Sequence, residues 1–315
     1  MSTVVNDMGV SRTAILWAAD NRRLRERLPR FGFVRRTVRR FMPGERLEDA
    51  LVAAAELGVK GLPTTLTALG ENVTNAGETE KVAEHYLDAY DRIAERGLDT
   101  EISVKPTHLG LDLDLDLASA NLERLVAKAA ERGNWLWLDM ESHPYVDGTL
   151  ELYRRIRTSH ARTGICLQAY LKRTAADIDA LMPLDPSIRL VKGAYREPEE
   201  IVFGSKRTID EAYRRLALRI LAGKGPEGRL ALGTHDVDLV RQIDLDAGAG
   251  GRERGAFEVQ MLYGIRTEDQ LRLAGQGYPV RVLIAYGSYW YPWFMRRIAE
   301  NPTRNVLLAL RNLLG

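Results

Sequence analysis

The sequence predicts an α/β fold, a TIM-like (β/α)8 barrel preceded by an N-terminal helical arm. Three observations lead there. From Gly44 onward, short β-type runs alternate with segments of helical period, and repeated βα units imply parallel strands joined by right-handed crossovers. Eight such units fit between residues 61 and 300, the size at which a barrel closes. The rival, an open doubly wound sheet, usually carries a glycine-rich dinucleotide loop, and neither G-x-G-x-x-G nor G-x-x-x-x-G-K is found here.

Taken in order, Gly61 to Leu69 is the first strand and Glu78 to Arg96 its helix. The run Glu101 to Leu109 precedes a helix over Leu117 to Arg132, and Trp135 to Glu141 precedes one from Leu150 to His160. The fourth unit pairs Ile165 to Leu171 with a short helix near Ala175 to Met182, and the fifth pairs Ile188 to Tyr195 with Ser205 to Ala222. Leu230 to Gly233 leads to Val237 to Asp244, Ala256 to Leu262 to Thr267 to Gln276, and Val280 to Ala285 to Trp290 to Glu300. Nothing linker-like interrupts this series. One catalytic domain over residues 47–315 and an arm over 1–46 are therefore expected.

The composition is that of an ordinary globular enzyme, 45% hydrophobic and 28% charged. A net charge of +2 argues against a dedicated nucleic-acid binder. A single cysteine, Cys166, rules out an internal disulfide framework and suits a reducing compartment. No apolar run reaches the ~18 residues of a membrane span, and the N-terminus lacks the order of a signal peptide, so a cytoplasmic location is expected. The arm stands apart, with ten arginines between Arg22 and Arg46 and only Glu26 and Glu45 as acids. It reads as a solvated helical cap, with peripheral contact to an anionic membrane as the second reading.

Barrel chemistry sits where strands end, so polar residues there are informative. Strand two ends in Lys105, Thr107 and His108, and strand three in Leu138-Asp139-Met140-Glu141-Ser142-His143. Strand four supplies Gln168, Tyr170 and Lys172; strand five Arg189, Lys192 and Gly193; strand six Thr234, His235 and Asp236; strand seven Glu258 and Gln260. Unpaired charges in a barrel mouth are costly, which points to a ligand. Mixed Lys, Arg, Gln and Thr with glycine turns suit a large anionic cofactor. Five scattered histidines, with no H-x-H or H-E-x-x-H spacing, argue against a metal. On the last helix Trp293, Arg296, Arg297 and Glu300 share one face. Guanidinium groups there either meet a carboxylate in bidentate geometry or form a surface ladder from Arg296 to Glu300.

Several blocks, in order, are similar to the bacterial single-function proline dehydrogenases. They are ISVK at 102–105, LDMESH at 138–143, LQAYLKR at 167–173, RLVKGAYREP at 189–198, GTHD at 233–236, FEVQMLYGIR at 257–266 and YGSYWYPWFMRRIAENP at 286–302. The resemblance covers residues 41–312. It implies non-covalent FAD and oxidation of proline, or of a proline-like imino acid or secondary amine, with quinone as a possible electron acceptor. It places the substrate carboxylate on Arg296, Arg297 and Lys105, with Asp139 lining that pocket and Glu71 able to pair with a clamp arginine. Gln168, Arg189, Lys192, Gly193, Ala194, Thr234, His235 and Glu300 match residues around the flavin, and Arg189 matches the cation that steadies its reduced ring. One departure stands out: Leu283 occupies the position of a family tyrosine that covers the substrate, and Ala285 that of a proline. A substrate wall altered in this way suits an imino acid other than proline. Two alternatives remain at this level, a methylenetetrahydrofolate reductase on the same kind of barrel and a barrel that only binds a ligand.

Overall fold

The computed structural model describes residues 21, 38–70, 73–251 and 255–300 and, at 299 and 300, the backbone alone. Eight parallel strands close in sequence order, β1 pairing with β8. They are β1 Thr64–Ala68, β2 Thr100–Val104, β3 Leu136–Leu138, β4 Thr163–Gln168, β5 Ser187–Val191, β6 Leu230–Gly233, β7 Glu258–Leu262 and β8 Val280–Tyr286. The helices are α1 Leu47–Val59, α2 Ala76–Glu95, α3 Leu115–Glu131, α4 Val146–Arg157, α5 Thr174–Leu181, α6 Lys206–Gly223, α7 Val237–Ala249, α8 Thr267–Gly275 and α9 Trp290–Glu300.

The strands are shorter than the β-type runs, and local chemistry says why. Pro106 starts a single 3-10 turn, Pro106–Leu109, directly after Lys105; proline favours a first helical position because its missing N–H is not needed there. Gly193 adopts φ +116° and ends the extended run after β5. Helices begin where a side chain caps them: Asn75 accepts from the Glu78 N–H, Asp114 from Leu117, Ser205 from Thr208 and Asp236 from Leu239.

Four helix tyrosines pin the outer ring to the barrel. Tyr90 Oη donates to the Trp135 carbonyl at 3.0 Å and Tyr213 Oη to the Leu190 carbonyl at 2.9 Å. Tyr86 accepts from the Ala68 N–H at 3.0 Å and Tyr153 from the Ser187 N–H at 3.1 Å. Burial raises all four hydroxyl pKa values, that of Tyr153 to about 12, so the groups stay protonated.

One helix was not expected from the sequence reading. α1 packs its buried Leu47, Ala50, Leu51, Ala54 and Leu57 on β1 and β8, the place a helix after β8 would otherwise fill. That leaves α9 free to lie elsewhere. It gathers with Val38, Met42, Leu69 and Ala285 through Trp290, Tyr291, Trp293 and Phe294, and Trp290 Nε1 donates to Glu45 Oε1 at 3.1 Å. Residues 38–46, assigned by sequence to the arm, therefore pack with the barrel. The remainder of the basic stretch lies outside the described residues.

Candidate active site

The barrel interior is stacked in two charged layers with a tryptophan between them. Near the strand starts, Arg229 Nη1 donates to Glu101 Oε1 at 2.7 Å, and Arg281 Nε donates to Glu258 Oε2 at 3.1 Å. Trp137 Nε1 donates to Glu101 Oε2 at 2.7 Å. The Trp137 ring is fully buried, with the Arg229 guanidinium 5.3 Å from its centre and that of Arg189 at 5.2 Å. Gly164 makes room for it, since a Cβ there would stand 2.3 Å from the ring. Because Glu258 begins β7, it belongs to the lower layer. That end of a barrel serves stability, so Glu258 is not in the mouth where the sequence reading grouped it.

The upper layer holds the predicted Lys105, Asp139 and Arg189 together. Arg189 Nη2 donates to Asp139 Oδ1 at 2.5 Å and to Ser103 Oγ at 2.6 Å, and Nη1 to Gln260 Oε1 at 3.2 Å. Ser103 Oγ also donates to Asp139 Oδ1 at 2.9 Å. Lys105 Nζ lies 3.7 Å from Asp139 Oδ2. Burial is the largest single influence and works against the Arg189 charge, but the Asp139 carboxylate, together with Cys166 and Glu101, more than offsets it, so the guanidinium pKa is raised. Asp139 thus joins one fully enclosed cation to a second at the edge of the mouth.

Around the ends of β4, β5 and β6 the picture is mixed. Gln168 Nε2 donates to the Glu141 carbonyl at 2.9 Å, and Lys192 Nζ sits 2.9 Å from Asp236 Oδ2 and 2.5 Å from Asp210 Oδ1. Gly193 is constrained sterically as well as by φ, because a Cβ would meet the Tyr170 ring at 2.2 Å. Ala194 follows it, half-buried. Thr234 accepts the Asp236 N–H at 3.1 Å. His235 has an enclosed Nδ1 with no hydrogen-bond partner among the described residues. Burial and then the charges of Arg297 and Arg266 push its pKa down to about 3.

That shift has a sign. The unfolded chain protonates this histidine near its ordinary value of 6.5, while the folded chain resists until about 3. Stability from the position is full above pH 6.5 and drains away below it, by about 2 kcal/mol at pH 5. His235→Gln should remove that part of the acid sensitivity. Denaturant titrations of both proteins at pH 8 and pH 5 check it, and equal losses would contradict it.

α9 brings its arginines over these strand ends. The Arg296 guanidinium lies 5.1 Å from the centre of the Tyr195 ring, beyond β5. Arg297 is close enough to His235, beyond β6, to act on its ionisation. Both arginines are half-buried and Trp293 is buried, so this face turns to the barrel rather than to solvent. Leu283 lies two residues after the inward Arg281 on β8 and so shares its facing; it is half-buried and paired in register with Thr65 and Leu262. Glu71 and the side chain of Glu300 lie outside the described residues.

Several strand-end groups turn out to hold loops. Glu141 accepts from the Thr107 N–H at 2.9 Å and from Thr107 Oγ1 at 2.7 Å, and Lys172 Nζ donates to the Glu200 carbonyl at 2.8 Å. Conversely, Ser103, Trp137 and Tyr195 belong to the site and escaped the sequence reading. The alternation Glu101, Ser103, Lys105 on β2 was the available signal for Ser103.

The family model described as "Proline dehydrogenase" matches residues 50–307. The chain is 36% identical to "Proline dehydrogenase 1" of Bacillus subtilis subsp. natto over 304 residues, which cover 96% of this chain and 99% of that protein. It is 37% identical to "Proline dehydrogenase" of Deinococcus radiodurans over 280 residues, 87% of this chain and 89% of the other. Among solved structures, that of proline utilization A from Bdellovibrio bacteriovorus, inactivated by N-propargylglycine, superposes with a TM-score of 0.79 at 21% identity. The match covers 93% of this chain and 37% of that one.

Proposed function

The chain belongs to the proline dehydrogenase family, and we propose that it oxidises proline, or a closely similar cyclic imino acid, at the ring C–N bond. The product from proline is Δ1-pyrroline-5-carboxylate. The observation that carries this reading is the pair Arg296 and Arg297 on α9, held over strand ends where Lys105, Asp139 and Arg189 already form one connected cluster.

When bound, FAD would supply the oxidising chemistry, as acceptor for the hydride lost from the substrate ring. The residues present fit such a group. His235 Nδ1 is an enclosed polar atom without a partner among the described residues, and Arg189 is a buried cation with its charge maintained. Gln168, Arg189, Lys192, Gly193, Ala194, Thr234 and His235 are the residues we assign to holding it, together with Glu300. Lys192 enters as part of a balanced cluster with Asp210 and Asp236 rather than as an isolated charge.

The protein's own contribution is placement and electrostatics. Arg296 and Arg297 grip the substrate carboxylate, and Lys105 adds a third cation at the rim of the mouth. Asp139 fixes the Lys105 ammonium and neutralises Arg189, so neither cation drifts with substrate binding. A cation fixed in a low-dielectric interior stabilises negative charge that develops beside it, which is the role assigned to Arg189. Glu71 is assigned as a carboxylate that pairs with a clamp arginine. The aromatic side chains of α9 anchor the helix through a cluster with Val38, Met42, Leu69 and Ala285. The electron acceptor we assign is a quinone, and the ten arginines between Arg22 and Arg46 suit contact with an anionic membrane surface. Among the described residues no helix is long and apolar enough to cross a membrane.

Leu283 bears on the substrate. A leucine keeps apolar contact with the ring but gives up the hydrogen bond a tyrosine hydroxyl offers, which suits a substrate bearing extra bulk or its own polar ring substituent. The test is the visible spectrum of the purified protein, then anaerobic bleaching by proline and a panel of cyclic amines. Acid precipitation should release free FAD, and the best bleaching agent should carry a carboxylate. A colourless protein that cannot be reconstituted with FAD would remove the proposal. Leu283→Tyr should shift preference toward proline, and a wild-type enzyme that already prefers proline to every analogue ends the Leu283 inference alone.

A further inference from the structure

We propose that Glu197 is a positioning residue of the carboxylate clamp: fastened by His143 and Tyr170, it fixes the turn after β5 so that Tyr195 supports the guanidinium of Arg296. This rests on Arg296 being a ligand of the substrate carboxylate.

The side chain of Glu197 is 1% exposed although it follows a run of partly exposed loop residues. Its carboxylate accepts from the His143 N–H at 2.9 Å, from His143 Nδ1 at 2.5 Å and from Tyr170 Oη at 3.3 Å. A carboxylate buried so deeply is stable only with such donors. They come from two separate segments, one leaving β3 and one leaving β4. The turn after β5 is thereby tied to the ends of the two preceding strands, the adjacent β4 and, beyond it, β3.

Tyr170 grips that turn twice. Its ring occupies the place where a Cβ on Gly193 would stand, and its hydroxyl donates to Glu197 four residues later. Between these two points lies Tyr195, with Arg296 over its face at 5.1 Å. An arginine in the last turns of a helix has much rotamer freedom, and binding a carboxylate must freeze it. A ring already in contact with the guanidinium removes part of that cost before the substrate arrives. The effect belongs to binding of the carboxylate, and the hydride-transfer step is not its target. Neither His143 nor Glu197 then touches substrate. Their place within LDMESH and GAYREP is explained by the clasp they form.

The experiment uses the flavin-loaded enzyme with proline and an artificial electron acceptor. Glu197→Ala should raise KM by roughly tenfold, the scale of losing a supporting cation–π contact and its geometry. kcat should change no more than about threefold and FAD occupancy should be unchanged. Tyr195→Leu should reproduce the KM effect without touching the clasp, which keeps the test open should Glu197→Ala fold poorly. In an Arg296→Met background, Glu197→Ala should add little, because the residue acts through Arg296. An unchanged KM in both single variants, or an equal additional loss in the Arg296→Met background, overturns the clasp and leaves the clamp standing. An Arg296→Met enzyme with unchanged KM removes Arg296 from the clamp, and this proposal with it.

Discussion

Arg296→Met and Arg297→Met should each weaken proline binding by about 2–5 kcal/mol, from roughly 30-fold to a few thousandfold in apparent affinity. The size follows from burial. Both arginines sit half-buried, one over Tyr195 and the other beside a histidine whose ionisation it suppresses. A charge contact in such a place is screened far less than one at an open surface. Truncation leaves the substrate carboxylate facing a partly desolvated mouth with fewer donors. Lys105→Ala should cost less, because its ammonium is already engaged by Asp139 at 3.7 Å and is not wholly committed to the substrate. Steady-state KM for proline in the three variants checks the ranking. Unchanged apparent affinity in both arginine variants would falsify the clamp.

Asp139→Ala should be the most damaging substitution for folding, by about 3–5 kcal/mol. Removing this carboxylate strips Arg189, 2% exposed inside the barrel, of its counter-charge and leaves Gln260 and Ser103 as its partners among the contacts above. Replacing both members of a buried ion pair is often tolerated, but removing one leaves an uncompensated buried charge. Asp139→Asn keeps the shape and one oxygen that can accept from Ser103, so it should fall between wild type and Asp139→Ala. Arg189→Met in the Asp139→Ala background should recover part of the loss, since it removes the orphaned cation. Urea denaturation of the four proteins measures this, and a fully stable Asp139→Ala would show that the interior charge is solvated in a way the geometry denies.

Both predictions concern residues named from the sequence, yet their expected magnitudes come from the fold. The period of the apolar pattern, with glycine and proline as punctuation, was enough to determine eight βα units and the order of their strands. Backbone preference is local, so it is legible locally. The last helix was read to the residue, Trp290 to Glu300, and the closeness of Lys105, Asp139 and Arg189 followed from placing strand ends of a closed barrel on one rim. Boundaries were harder, because an N-cap such as Asn75 or Asp114 decides a helix start by one hydrogen bond. α1 was missed although its alanine-rich run favours a helix; its burial depends on β8, more than two hundred residues away.

Only the tertiary structure could sort charges of like appearance by their partners. Glu141 and Asp139 lie two residues apart, yet one holds Thr107 while the other balances Arg189. Glu258 and Gln260 share a strand and a facing, but the first serves the ion network at the closed end and the second reaches Arg189. The sequence by itself determined which side chains were available and on which strand. Their depth, neighbours and charge balance were decided by closure of the barrel, because electrostatic energy depends on distance and burial, and both are set by contacts between segments far apart in the chain.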